Sequence, residues 1–117
     1  MKGYNGRILR VNLAEGKHSV HEFSESYYQH FLGGRGFIIH TLLTEVPKDV
    51  DPLGRENKLV FSLGPISGHP IPGSGRNSVG AKSPLTGAYG ESEAGGFWGA
   101  ELKRSGFDAI ITEGASA

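Results

Sequence analysis

From Arg7 to Leu13 the chain alternates in the manner of a strand: Leu9, Val11 and Leu13 share one face, and Ile8 breaks the phase. Ala14-Glu15-Gly16-Lys17 reads as a turn, and His18 to Phe23 returns with Val20 on alternate spacing, so the pattern predicts a β-hairpin. At Ser24 the period changes. Tyr27, Tyr28, Phe31 and Leu32 form an apolar stripe, Phe37, Ile38, Leu42 and Leu43 continue at helical spacing, and Ser26 with Gln29 has the spacing of a capping box. Gly33-Gly34-Arg35-Gly36 interrupts, which predicts two short helices about a glycine joint. Val46 to Pro52 reads as a connecting loop.

Lys58 to Leu63 is a short apolar run ended by Gly64-Pro65, the mark of a buried strand. Ser67 to Gly75 is a loop, Arg76 to Lys82 a strand, Ser83 to Gly87 a turn and Ala88 to Ser92 the returning strand. Phe97 to Arg104 reads as a helix with basic residues in its last turn, where the dipole favours them. Ser105-Gly106 ends it, and Phe107 to Thr112 reads as a last strand, with a hairpin partner expected after it. No internal repeat and no domain boundary is visible, so residues 1–117 are expected to form one domain.

Composition changes this picture in one place. Glycine makes up 19 of 117 residues, well above the usual share of about 7%, and ten of them lie between Gly64 and Gly99. That stretch also holds Val79, Leu85, Tyr89, Phe97 and Trp98 and carries only Arg76, Lys82, Glu91 and Glu93 as charges. Disordered segments are polar and charged, so this one is expected to fold around something the backbone approaches closely. Twelve basic and twelve acidic residues cancel, which argues against nucleic acid or an anionic membrane as partner. No apolar run approaches the roughly 18 residues of a membrane span. Met1 to Gly6 has no apolar signal region, so a cytoplasmic protein is expected. The absence of cysteine removes disulfides, thiolate metal sites, a cluster held by this segment and cysteine nucleophiles.

Several motifs fall short. Gly75 to Ser83 nearly spells a phosphate-binding P-loop, but Ala81 displaces Lys82 from its register and Pro84 blocks a helix. His18, His21, His30, His40 and His69 lack metal-ligand spacing on any one element, and no serine sits in a nucleophile elbow. Gly33-Gly34-Arg35-Gly36 admits two readings, an anion cradle or a plain helix joint. The strongest physical candidate is Glu93-Ala94-Gly95-Gly96 ahead of the Phe97 helix, where glycines leave N–H groups free and Arg76 can pair with a phosphate.

These segments also resemble a known order. Gly6-Arg7 with Val11-Asn12-Leu13, Asp51-Pro52-Leu53 with Glu56-Asn57-Lys58-Leu59, Gly64-Pro65, Lys82 to Gly87, Gly95 to Lys103, and Gly106-Phe107-Asp108 together look like the N-terminal domain of tungsten-containing aldehyde:ferredoxin oxidoreductases. The resemblance runs from about Gly3 to Gly114 and covers roughly the first half of that domain.

The resemblance implies an α+β fold, rich in antiparallel sheet, with a few short helices. Family enzymes oxidise aldehydes to carboxylic acids and pass electrons to ferredoxin. They hold tungsten, or molybdenum in some relatives, through two pterins whose phosphates are bridged by magnesium. A 4Fe-4S cluster belongs to later parts of the enzyme. By the same resemblance, Arg76 matches the arginine that contacts a pterin phosphate. Glu93, Ala94, Gly95 and Gly96 match the cofactor-wrapping segment, with the main-chain carbonyl of Glu93 toward the magnesium. Relatives in aromatic-acid reduction or acting on sugar aldehydes share this domain. No catalytic residue is expected in this segment and no activity of it alone. Its expected partner is the rest of the oxidoreductase, as one chain or as a separate subunit, or a second copy of itself. A free-standing, non-catalytic pterin or phosphate binder and a degenerate fragment are the alternatives.

Overall fold

The computed structural model describes residues 3–116. Six strands form one sheet: β1 (Arg7–Asn12), β2 (Lys17–Glu22), β3 (Lys58–Leu63), β4 (Asn77–Lys82), β5 (Tyr89–Ala94) and β6 (Ala109–Glu113). Three helices join them: α1 (Glu25–Phe31), α2 (Gly34–Glu45) and α3 (Trp98–Arg104). The strand order is β2-β1-β6-β3-β4-β5. Every neighbouring pair is antiparallel except β1 and β6, which run parallel. This is the antiparallel-rich α+β arrangement expected of the sequence.

The last strand is the main departure. No hairpin partner follows Thr112 among the described residues, because β6 lies inside the sheet, between β1 and β3. The strand edges are β2 and β5, and β2 carries only exposed residues, charged or polar apart from Val20, which suits an edge.

Phase in β1 follows the alternation. Ile8 is the buried residue, at 1% exposure, and joins Phe37, Ile38, Val60, Ala109 and Ile111 in the core beneath α2. Full burial of such side chains stabilises by about 1.5–3 kcal/mol each. Leu9, Val11 and Leu13 point to the opposite face, as their alternation requires. That face aligns Val20, Leu9, Ile110, Phe61 and Val79 across the strands. Among the described residues α3 covers it at one end, where Trp98 meets Phe61 with ring centroids 5.4 Å apart. Leu13, Val20 and Leu59 remain exposed there.

The helix caps follow local chemistry. Ser24, not Ser26, caps α1, and its side chain accepts from the Tyr27 N–H at 3.3 Å. The two helices flank a glycine joint as expected, although α2 extends to 12 residues. Gly33 there has φ +87°, and a Cβ on it would lie 2.2 Å from the Leu63 carbonyl oxygen. Only glycine permits that contact, which lays the start of α2 against the end of β3. Further along, a Cβ on Gly80 would stand 2.7 Å from Ile38 Cγ2, so α2 packs onto bare backbone in β4.

Candidate cofactor-binding cleft

The glycine-rich loop after β3 holds its shape through its own serines. Ser67 Oγ accepts from the Gly64 N–H at 3.0 Å and donates to the Arg76 carbonyl at 3.3 Å. Ser74 Oγ donates to the His69 carbonyl at 2.5 Å, and the Gly68 N–H reaches the Ser74 carbonyl at 3.3 Å. Both serines are buried. The stretch is thus ordered, as its apolar content required.

This loop, the ends of β3, β4 and β5, and the start of α2 enclose a cleft of about 260 Å³. Arg76 and Glu93 both line it, together with Gly34, Arg35 and the hydroxyl residues Ser62, Ser67, Ser74 and Ser78. Arg76 immediately precedes β4, is exposed, and its guanidinium makes no ion pair among the described residues. Glu93 sits in β5 opposite Ser78. Ser78 Oγ donates to Glu93 Oε1 at 3.5 Å, which puts the Glu93 carboxylate on the cleft's side of the sheet.

The remaining candidates lie beyond the cleft. Ala94 ends β5 opposite Asn77. Gly95 and Gly96 form the exposed turn before α3, and a Cβ on Gly75 would meet the Gly96 carbonyl at 2.9 Å. The turn is therefore pressed against the backbone next to Arg76. The helix it introduces spans only seven residues, with Phe97 at its N-cap.

Arg35 enters from the first turn of α2. It pairs with Glu91 of β5 through Nε and Nη2 at 2.5–2.9 Å. The Tyr89 hydroxyl donates to the same carboxylate. Hydrogen bonds from Arg35 and Tyr89 hold the Glu91 carboxyl below the usual carboxylate range, and burial opposes them. Burial first, then the bond to Glu91, pushes the Tyr89 phenol up.

The four serines escaped sequence reasoning. Serine is too common to signal a site, and the one available hint was Ser62, a hydroxyl inside the apolar run of β3. Chemically, the cleft offers an anion the guanidinium of Arg76, since the hydroxyl protons of Ser67, Ser74 and Ser78 are already given to the Arg76 and His69 carbonyls and to Glu93. A guanidinium of this kind can pair with a phosphate. The Glu93 carboxylate opposes an anion but suits a cation set between the two. No histidine is among the residues that line the cleft: His69 lies in the loop that bounds it, His40 Nδ1 meets the Tyr27 hydroxyl at 2.9 Å, and His21 Nε2 meets Ser19 Oγ at 3.2 Å.

The sequence and the fold of this chain are shared with known proteins. A family model described as aldehyde ferredoxin oxidoreductase, N-terminal domain, matches residues 8–117, and the chain belongs to that family. It is 49% identical over 114 residues to a tungsten-containing aldehyde ferredoxin oxidoreductase of Pyrococcus horikoshii and 50% identical over 114 residues to that of Pyrococcus abyssi. Each alignment covers 97% of this chain and 19% of the relative, so the chain spans about a fifth of their length. An aliphatic sulfonate oxidoreductase, WOR-like subunit, of Pyrococcus furiosus is 39% identical over 117 residues. Among solved structures, the active site complex BamBC of benzoyl coenzyme A reductase matches with a TM-score of 0.94 at 36% identity, covering 98% of this chain and 18% of that one. No helix among the described residues is long and apolar enough to cross a membrane.

Proposed function

We propose that this chain is the cofactor-binding segment of a tungsten-dependent oxidoreductase that oxidises aldehydes to carboxylic acids with ferredoxin as acceptor. The names of the curated relatives support tungsten and the aldehyde. The observation that carries the reading is the meeting of Arg76 and Glu93 in one phosphate-sized cleft. Arg76 would hold a pterin phosphate, and the Ser67–Ser74 loop would keep it in place. Glu93 would hold a magnesium ion through its main-chain carbonyl, and Ala94, Gly95 and Gly96 would wrap the cofactor. The tungstopterin, once bound, supplies the oxygen-atom and two-electron chemistry. This chain's own residues bind and orient it. The 4Fe-4S cluster and the substrate channel would come from the rest of the enzyme, in the same chain or a partner subunit, in the cytoplasm.

The test is Arg76→Ala in the complete oxidoreductase. Tungsten occupancy is expected to fall several-fold with the fold intact by circular dichroism. Unchanged tungsten would remove Arg76 from the site.

A further inference from the structure

Arg35 is left without a task by this reading, yet it lines the same cleft as Arg76. Its position is fixed from both sides. Behind it, Gly33 lies flat on the end of β3, with no room for a Cβ beside the Leu63 carbonyl. In front, Glu91 takes two hydrogen bonds from Nε, at 2.9 and 2.7 Å, and one from Nη2, at 2.5 Å. Glu91 is itself well anchored. Its side chain is 12% exposed, and Tyr89 holds it from the other side.

The pairing is side-on. It occupies the Nε–Nη2 edge of the guanidinium and leaves both N–H groups of Nη1 without a partner among the described residues. A planar guanidinium clamped along one edge presents its other edge in a fixed direction, so little freedom is lost when a ligand arrives. The side chain is 64% exposed at the cleft mouth, where an ion pair contributes little to the fold. Its charge also cancels that of Glu91, which would otherwise stand with Glu93 as a second carboxylate beside the anion.

We propose that Arg35 is a second anion-binding arm of the cleft, set by Glu91 and donating through Nη1 to a phosphoryl oxygen of the ligand that Arg76 holds. The proposal rests on the reading of this cleft as a phosphate site. The ligand class is a phosphate ester or diphosphate, and Glu91 is a positioning residue.

The test uses the 117-residue chain and inorganic pyrophosphate at low ionic strength. Calorimetry gives the affinity of wild type, Arg35→Gln, Arg35→Lys and Arg76→Gln, and nitrogen-15 NMR follows the Arg35 guanidinium. The expected result is binding about tenfold weaker in Arg35→Gln, with Arg35→Lys close to it because one ammonium cannot serve Glu91 and the ligand along separate edges. In wild type the Arg35 Nη1 signal should move and saturate with the calorimetric curve. If Arg76→Gln loses binding while Arg35→Gln stays within twofold of wild type, or if the Nη1 signal is still at saturation, the second arm is overturned and the phosphate site stands. If wild type takes up no pyrophosphate, the phosphate reading fails and the second arm with it.

Discussion

The Asp108 carboxylate accepts a hydrogen bond from the Gly6 N–H at 2.8 Å, joining the start of β1 to the start of β6. It also takes the Asn5 N–H at 2.9–3.0 Å and pairs with Lys103 Nζ at 2.8 Å. Asp108 is 3% exposed. A carboxylate this deep is tolerated only because every side of it is bonded. The arrangement fixes where β1 begins beside β6, and so sets the one parallel register in the sheet.

Asp108→Ala should therefore be severe. It leaves two N–H groups unpaired and the Lys103 ammonium, 14% exposed, without its carboxylate. A loss of about 3–5 kcal/mol is expected in denaturant unfolding. A loss under about 1 kcal/mol would show that the contact is incidental.

Acid should weaken the fold through a second cluster. Arg10 bridges Glu45 and Glu113 at 2.8 and 3.1 Å, and Lys58 pairs with Glu113 from the neighbouring strand. Burial pushes both carboxyls up, but hydrogen bonds and charges outweigh it, from Arg10 chiefly at Glu45 and from Lys58 chiefly at Glu113, and hold each below the ordinary glutamate value. A depressed carboxyl contributes stability that is full above the unfolded pKa of about 4.3 and lost as pH falls through the folded value. The melting temperature should hold from pH 7 to 5 and drop below pH 4.5. Glu113→Gln should cost about 1–3 kcal/mol at neutral pH and flatten that drop. An unchanged acid profile in the variant would contradict the assignment.

The face with Leu9, Val11, Val20, Leu59, Phe61, Val79 and Ile110 is apolar, with Val20 and Leu59 exposed and the others partly buried. Exposed patches of this kind drive association. The isolated chain should self-associate with concentration in sedimentation velocity, and Leu59→Glu with Val20→Glu should reduce it. A monomer at all concentrations would contradict this.

Glu93→Asn separates the side chain from the main chain at the cleft. If the carbonyl is the group that matters, metal content of the complete enzyme should be unchanged, and anion binding should tighten as one negative charge is removed. A several-fold loss of magnesium would assign the role to the carboxylate.

How much the sequence revealed depended on how local the cause was. Lys58 to Leu63 reads as β3 to the residue, because an apolar run bounded by Gly64-Pro65 has one solution. The interior place of β6 was hidden, since it depends on Asp108 meeting Asn5 and Gly6 across the whole chain. Which face of β1 meets the core was not legible for a related reason. Both faces of β1 carry apolar residues, and the one that α2 covers is decided by packing, not by alternation. Ser24 and Ser26 differ as caps only in backbone path. At the site, Arg76 and Glu93 stood out because charges are scarce in that stretch, whereas the Arg35–Glu91 pair joins α2 to β5 and required the fold.

In the proposed function this domain cradles a tungsten–pterin cofactor at the Arg76–Glu93 cleft. The most direct measurement is the tungsten, magnesium and phosphorus content of the protein purified anaerobically from its own host, with co-purifying chains identified. The expected result is tungsten and phosphorus together, with a cluster-bearing cysteine-rich region in the same chain or in a tightly bound partner. A preparation holding that region intact, yet free of both tungsten and phosphorus, would contradict it.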